Sequence, residues 1–190
     1  HRYTVPFDFL ARPHPAQSEY FSISMRFILL DRITELYPGD RISAVKNLTM
    51  AEEYLGDHFP LFPVMPGVLM LEAMIEAGAW LIRATDDFAH GIVVLRKASN
   101  IKYGQFVQPG QTLEVSAEIV DRSDSETRIK ARGTMHGRLT VAGRLTLSSY
   151  NLADTNPARA ANDEEIRHAM RKRFALLYDP QSIPNGTEEQ

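Results

Sequence analysis

The chain has 190 residues, enough for one well-buried domain with extensions, and 44% of them are hydrophobic, an ordinary share for a soluble globular protein. A formal charge of −3 excludes the basic footprint of a nucleic-acid binder. The absence of cysteine excludes a disulfide framework, a thiolate nucleophile and a thiolate zinc site, and suits a reducing compartment such as the cytoplasm. The longest apolar run, Val68 to Ile82, is interrupted by Glu72, Glu76 and Gly78 and is shorter than the ~20 residues of a membrane span, so a core helix is expected. No basic segment followed by an apolar one opens the chain, and export is not expected.

In chain order, residues 1–24 mix Pro6, Pro13 and Pro15 with aromatics and show no sustained periodicity, which predicts an arm lying on the domain. "RFILLDRITEL" and "DRISAVKNLTM" predict a strand or short helix and then a strand, joined by a turn at Pro38-Gly39. A proline-rich loop, "DHFPLFPVMP", leads into a helix from about Gly67 to Ala84 that is apolar on nearly every side, as an enclosed helix must be. The period then changes. "GIVVLRKASNIKYG" reads as a strand, and Leu113, Val115, Ala117 and Ile119 alternate with polar residues at the period of a half-buried strand. "ETRIKARGTMHG" and "RLTVAGRLTLSSYN" follow the same rule, with turns at "RSDS" and near His136-Gly137. One long helix and five or six antiparallel strands predict a single α+β domain over residues 25–152, the helix covering one face of a curved sheet. In the extension 153–190, Ile166, Met170 and Phe174 recur at helical spacing and predict an amphipathic helix before a polar tail.

Glu72 stands inside the apolar helix, fourteen positions after His58. An ionised carboxylate buried without partners costs several kcal/mol, so Glu72 is a solvated acid near the helix start, a paired or neutral one, or a functional one. His58 is likewise either a packed structural residue or a catalyst. Together the two supply what general acid–base chemistry needs: an imidazole able to accept a proton, and a carboxyl group in an apolar setting that raises its pKa. Pro60, Pro63 and Pro66 stiffen the loop, and Pro66-Gly67 opens the helix with backbone N–H groups able to receive a developing oxyanion.

"HFPLFPVMPGVLMLEAM", with "FILLDRITELYPGDRISAVKNLT" before it and "KYGQFVQPGQTLEVSAEIV" after it, resembles the (3R)-hydroxyacyl-acyl carrier protein dehydratases of fatty acid synthesis, the FabZ type, over roughly residues 26–150. The resemblance implies the hotdog fold, a sheet wrapped around a long central helix, with active sites at a homodimer interface and often three pairs to a hexamer. It implies that His58 removes the C2 proton of a 3-hydroxyacyl thioester and that Glu72, from the partner subunit, protonates the departing 3-hydroxyl. It assigns the Gly67 N–H to the thioester carbonyl, makes Val68, Met70 and Met74 acyl-channel candidates, and requires no cofactor. The implied partner is an acyl carrier protein. The family usually has Gly before the histidine and Gln four residues after the glutamate; Asp57 and Glu76 stand there, and the family's His-Arg-Tyr-Pro segment is replaced by "SISMRF". Asp57 is placed to orient His58 or bias its protonation. Glu76, one helical turn beyond Glu72, is placed to raise the pKa of that carboxyl by like-charge repulsion.

These departures motivate an alternative, a non-catalytic or altered-specificity hotdog protein that binds acyl thioesters or acts as a coenzyme A hydratase or thioesterase. The remaining histidines show no metal-ligand spacing, and no phosphate loop or dinucleotide fingerprint is present. Arg167, Arg171, Lys172 and Arg173 form a basic face on the last helix that would attract an acidic carrier protein.

Overall fold

The computed structural model describes residues 28–59 and 61–180, so the arm expected over residues 1–24 and the last ten residues lie outside it. Strands β1 (Arg32–Tyr37) and β2 (Arg41–Asn47) form a hairpin, and a one-turn helix α1 (Tyr54–Asp57) precedes the long helix α2 (Gly67–Thr85). Four strands follow, β3 (Ile92–Tyr103), β4 (Thr112–Arg122), β5 (Glu126–Met135) and β6 (Arg138–Tyr150), and then helix α3 (Ala160–Leu177). All pairings are antiparallel, in the order β1-β2-β4-β5-β6-β3, giving one six-stranded sheet with α2 packed against it. This is the hotdog arrangement.

The strands form where the period-2 alternation predicts them. Leu113, Val115 and Ala117 on β4 are at most 2% exposed, and the polar residues between them face outward. β5 and β6 join through His136 and Gly137, both at positive φ (51° and 73°), the geometry of a two-residue turn whose twist matches that of the strands. The Pro38-Gly39 turn closes with the Asp40 N–H donating to the Tyr37 carbonyl at 3.0 Å, Gly39 taking φ 82°. α1, which periodicity did not reveal, is too short to carry a helical repeat; buried Leu55 and partly buried Tyr54 hold it to the domain.

α2 is enclosed as expected. Met74, Ala77, Trp80, Leu81 and Ile82 are at most 1% exposed. At Gly78 the helix lies so close to the sheet that an added Cβ would stand 2.3 Å from Ile129 Cδ1 and 2.9 Å from Leu147 Cδ1. Gly78→Ala therefore forces these side chains aside and is expected to destabilise the domain by about 1–3 kcal/mol despite the better helix propensity of alanine. Chemical denaturation with an unchanged m-value checks this.

α3 packs on the far end of α2 through Phe174, whose ring centroid is 6.0 Å from Trp80 and 5.4 Å from Phe88. Its buried Asp163 accepts the Leu152 and Ala153 N–H groups, each at 2.8 Å, which ties the helix to the end of β6. Ile166, Met170 and Leu177 form its buried stripe, joined by the partly buried Phe174. β3 is the outer strand beside β6, and most of its residues are exposed, Val94 and Leu95 included.

Candidate active site at the mouth of α2

Pro66 precedes the first residue of α2, where its fixed φ and missing N–H cost nothing. Its carbonyl accepts the N–H groups of Leu69 (2.9 Å) and Met70 (3.2 Å), so the Gly67 N–H stands ahead of the helical ladder. The preceding loop is pinned by the Met65 N–H, which donates to the Val107 carbonyl at 2.8 Å. These constraints shape a recess of about 90 Å³ in which His58, Gly67, Met70, Tyr103 and Phe106 share the wall. The structure thus brings together His58 and Gly67, nine positions apart in sequence.

His58 is half-buried, and its ring meets Phe59 edge-on at 4.6 Å between centroids. Phe59 adopts φ 50°, a left-handed conformation unusual for an aromatic residue and of the kind that clusters at functional sites. Asp57 is exposed and makes no hydrogen bond to His58 among the described residues. Gly67 has tight surroundings: a Cβ there would lie 3.0 Å from Tyr103 Cε1 and 3.3 Å from its Cζ. Gly67→Ala would push Tyr103, itself 52% exposed, across the recess. We expect kcat to fall about tenfold or more with the melting temperature nearly unchanged, because exposed Tyr103 can yield but the recess then closes. Steady-state kinetics and a thermal melt measure both.

Glu72 lies one turn into α2, half-buried, and is not part of the wall shared by His58. Burial pushes its carboxyl above the usual carboxylate range, and the charge of Glu76 adds to the rise. Glu76 is itself buried and does more than modulate. Its Oε2 accepts the N–H groups of Leu29 (2.9 Å) and Leu30 (3.2 Å), and the Trp80 indole donates to Oε1 at 3.4 Å. Burial raises the Glu76 carboxyl, opposed by these hydrogen bonds and by the positive charge of Arg173. Arg83, one further turn along α2 beyond Trp80, is pushed down to about 10 by burial, against the pull of Glu76. Sequence reasoning missed this clamp on the segment before β1; the only signal was a second acidic residue one turn beyond Glu72 on a largely apolar helix.

The acyl-channel candidates separate. Met70 lines the recess, Val68 is 68% exposed beside it, and Met74 is fully buried in the core. Two of the four basic residues on α3 are committed to the protein's own groups. Arg171 donates to Asp87 Oδ1 (2.9 Å) and to the Asp87 carbonyl (2.6 Å), and Arg167 pairs with Glu164, while the positive charge of Arg173 acts on Glu76 without an ion pair among the described residues. The expected docking patch is thereby reduced, since ion-paired side chains present little net charge to a partner. Among the described residues no group of His, Asp and Glu is arranged to hold a metal ion, and no helix is long and apolar enough to cross a membrane.

A family model for the FabA-like domain matches residues 23–148. The 3-hydroxyacyl-acyl-carrier-protein dehydratase FabZ of Lactococcus lactis subsp. cremoris is 35% identical over 122 residues, 64% of this chain and 84% of that protein. The protein of the same name from Nitratidesulfovibrio vulgaris is 33% identical over 130 residues, 67% of this chain and 84% of that one. Among solved structures, the dehydratase heterocomplex ApeI:P from Xenorhabdus doucetiae shares the fold at TM-score 0.56 and 15% identity, covering 70% of this chain and 90% of that one. A mutant thioesterase from Pseudomonas aeruginosa does so at TM-score 0.50 and 13% identity, covering 62% and 79%. A fold shared by a dehydratase and a thioesterase does not choose between their chemistries. The family match and the identity to curated relatives do what the fold alone cannot: the chain belongs to the FabA-like family.

Proposed function

We propose that this chain is a hydro-lyase that dehydrates (3R)-3-hydroxyacyl thioesters carried on acyl carrier protein to the trans-2-enoyl products, in fatty acid or related lipid synthesis. The observation that carries the reading is the recess that sets His58 against Gly67 at the mouth of α2, with a half-buried Glu72 of raised proton affinity on the same helix. His58 takes the C2 proton, and the electron pair of that C–H bond forms the C2=C3 double bond. The C3–O bond breaks, and Glu72 of the partner subunit gives its proton to the leaving hydroxyl, which departs as water. The Gly67 N–H receives the charge that builds on the thioester carbonyl oxygen as C2 is deprotonated. Met70 and Val68 border the path of the acyl chain. The residues named supply an acid, a base and an oxyanion donor, and the elimination requires no redox or metal cofactor.

The twelve-residue β3 supports the two-subunit site. It is a long, exposed outer strand with Val94 and Leu95 open, the kind of edge that pairs with another copy and extends the sheet. This edge supports a homodimer; three pairs to a hexamer and a cytoplasmic location are what the resemblance to the FabZ-type dehydratases implies. The test is the ultraviolet absorbance of enoyl thioester formed from 3-hydroxyacyl carrier protein, with the coenzyme A ester run beside it. A rise on the carrier substrate supports the reading. Silence on 3-hydroxyacyl substrates, with hydrolysis of acyl thioesters instead, transfers the chain to the thioesterase alternative.

Glu76 gives the site a pH signature. Because Glu72 must hold a proton to donate it, turnover falls as pH rises through its pKa. Glu76→Gln removes a like charge one turn away, lowers the proton affinity of Glu72 and is expected to move this descending limb to lower pH. A pH profile of kcat for the two proteins tests the sign; a limb that stays in place or moves upward would show that Glu76 does not act on Glu72.

A further inference from the structure

Lys46 occupies a costly place for a charge. It continues the core-facing row of β2 after Ile42 and Ala44, and its side chain is only 7% exposed. Its Nζ stands 2.5 Å from Glu52 Oε1 and 3.9 Å from Asp31 Oδ1. An apolar residue would fill such a row at less cost, since buried ion pairs seldom stabilise more than the hydrophobic groups that could replace them. An ion pair differs from a methyl group in that it fixes a direction.

What the pair directs is α1. The Glu52 carbonyl accepts the Leu55 N–H at 3.1 Å and so opens the helix, while the Glu52 N–H turns back to Thr49. Leu55, 4% exposed, plugs α1 into the core, and the Tyr54 hydroxyl is buried, its proton affinity raised by burial first and by the charge of Glu52 next. α1 ends at Asp57; His58 follows at once, extended, and then Phe59 in its left-handed conformation. A single helical turn therefore connects the ion pair to the imidazole.

Resting on the reading of His58 as the base, we propose that the buried Lys46–Glu52 pair is a positioning device that holds α1 so that His58 faces the recess at the mouth of α2. Neither residue lines that recess, so both act through His58. Errors of about 1 Å in the placement of a catalytic group can cost roughly 10² in rate, so a tie at the base of α1 has leverage.

The test replaces the pair as a unit. Lys46→Met/Glu52→Met removes both charges together, the substitution that proteins with buried ion pairs tolerate best. It is compared with wild type, with Glu52→Asp and with the same changes in a His58→Ala background, by steady-state kinetics on a 3-hydroxyacyl carrier protein and by thermal melts. The expected result is a folded double variant with kcat down about tenfold or more, KM within about twofold, and no further loss when His58 is already absent. Glu52→Asp, which keeps the charges and withdraws the carboxylate by one methylene, is expected to fall between the double variant and wild type. A folded double variant with wild-type kcat overturns the proposal, as does an equal loss in the His58→Ala background. If the double variant fails to fold, Glu52→Asp decides alone, wild-type kcat counting against the device. Wild-type turnover by His58→Ala would overturn the base assignment and the proposal with it, a failure distinct from the others.

Discussion

Glu72→Gln is expected to lower kcat by about 10²–10⁴, the range for removal of a positioned general acid, while KM changes little. Glutamine keeps the shape and the hydrogen-bonding reach of the side chain but has no proton to give to a leaving hydroxyl. The reason to single out this carboxyl is physical: burial raises its proton affinity and the charge of Glu76 raises it further, which keeps a proton on it at a pH where an exposed glutamate has lost its own. Folding should survive, because Glu72 is half-buried and holds no hydrogen bond to a strand or loop among the described residues. His58→Ala is expected to lose as much, since the C2 proton then has no acceptor. The enoyl thioester absorbance measures both variants and circular dichroism establishes their fold; a folded Glu72→Gln enzyme with undiminished kcat would remove Glu72 from the acid role.

The second large effect is a rescue. His58 and Gly67 share a wall in one protomer and Glu72 does not reach it, so a dimer that builds each site from His58 of one chain and Glu72 of the other can be complemented. When inactive His58→Ala and inactive Glu72→Gln proteins are mixed under conditions that exchange subunits, about half the dimers are mixed. Each mixed dimer has one site with both residues intact and one with neither, so about a quarter of wild-type activity should return in a symmetric dimer. Activity that stays at the level of the separate variants, with exchange verified by mass spectrometry, would place both groups in a single chain. The same experiment probes the role of β3, because a Val94→Glu/Leu95→Glu change on that edge should prevent the rescue by keeping subunits apart.

The elements of this fold were legible where a local pattern spans several residues. Leu113, Val115 and Ala117 alternate at the period of a strand and are buried as that period requires; His136-Gly137 carries its turn chemistry in two adjacent residues. The apolar stretch of α2 announces an enclosed helix in the same way, and Pro66-Gly67 marks its start to the residue. The groups proposed for the chemistry, Glu72, His58 and the helix mouth at Pro66-Gly67, lie within one continuous segment and could be singled out together from the sequence. α1 left no trace, since four residues hold no repeat.

The sequence by itself therefore determined the long helix, the order of the main strands, and the segment that carries His58, Gly67 and Glu72, all properties of spacing along the chain. Only the tertiary structure decided what the charged residues inside the core are for. Glu76 finds Leu29, 47 residues away, and Lys46 on β2 turns to Glu52 beneath α1, while Arg167 and Arg171 spend their charges on the protein itself. The physical reason is that periodicity reports which face of an element is buried, whereas a charge is satisfied by whatever distant group the closed sheet brings to it, and that neighbour is written in no local stretch of sequence.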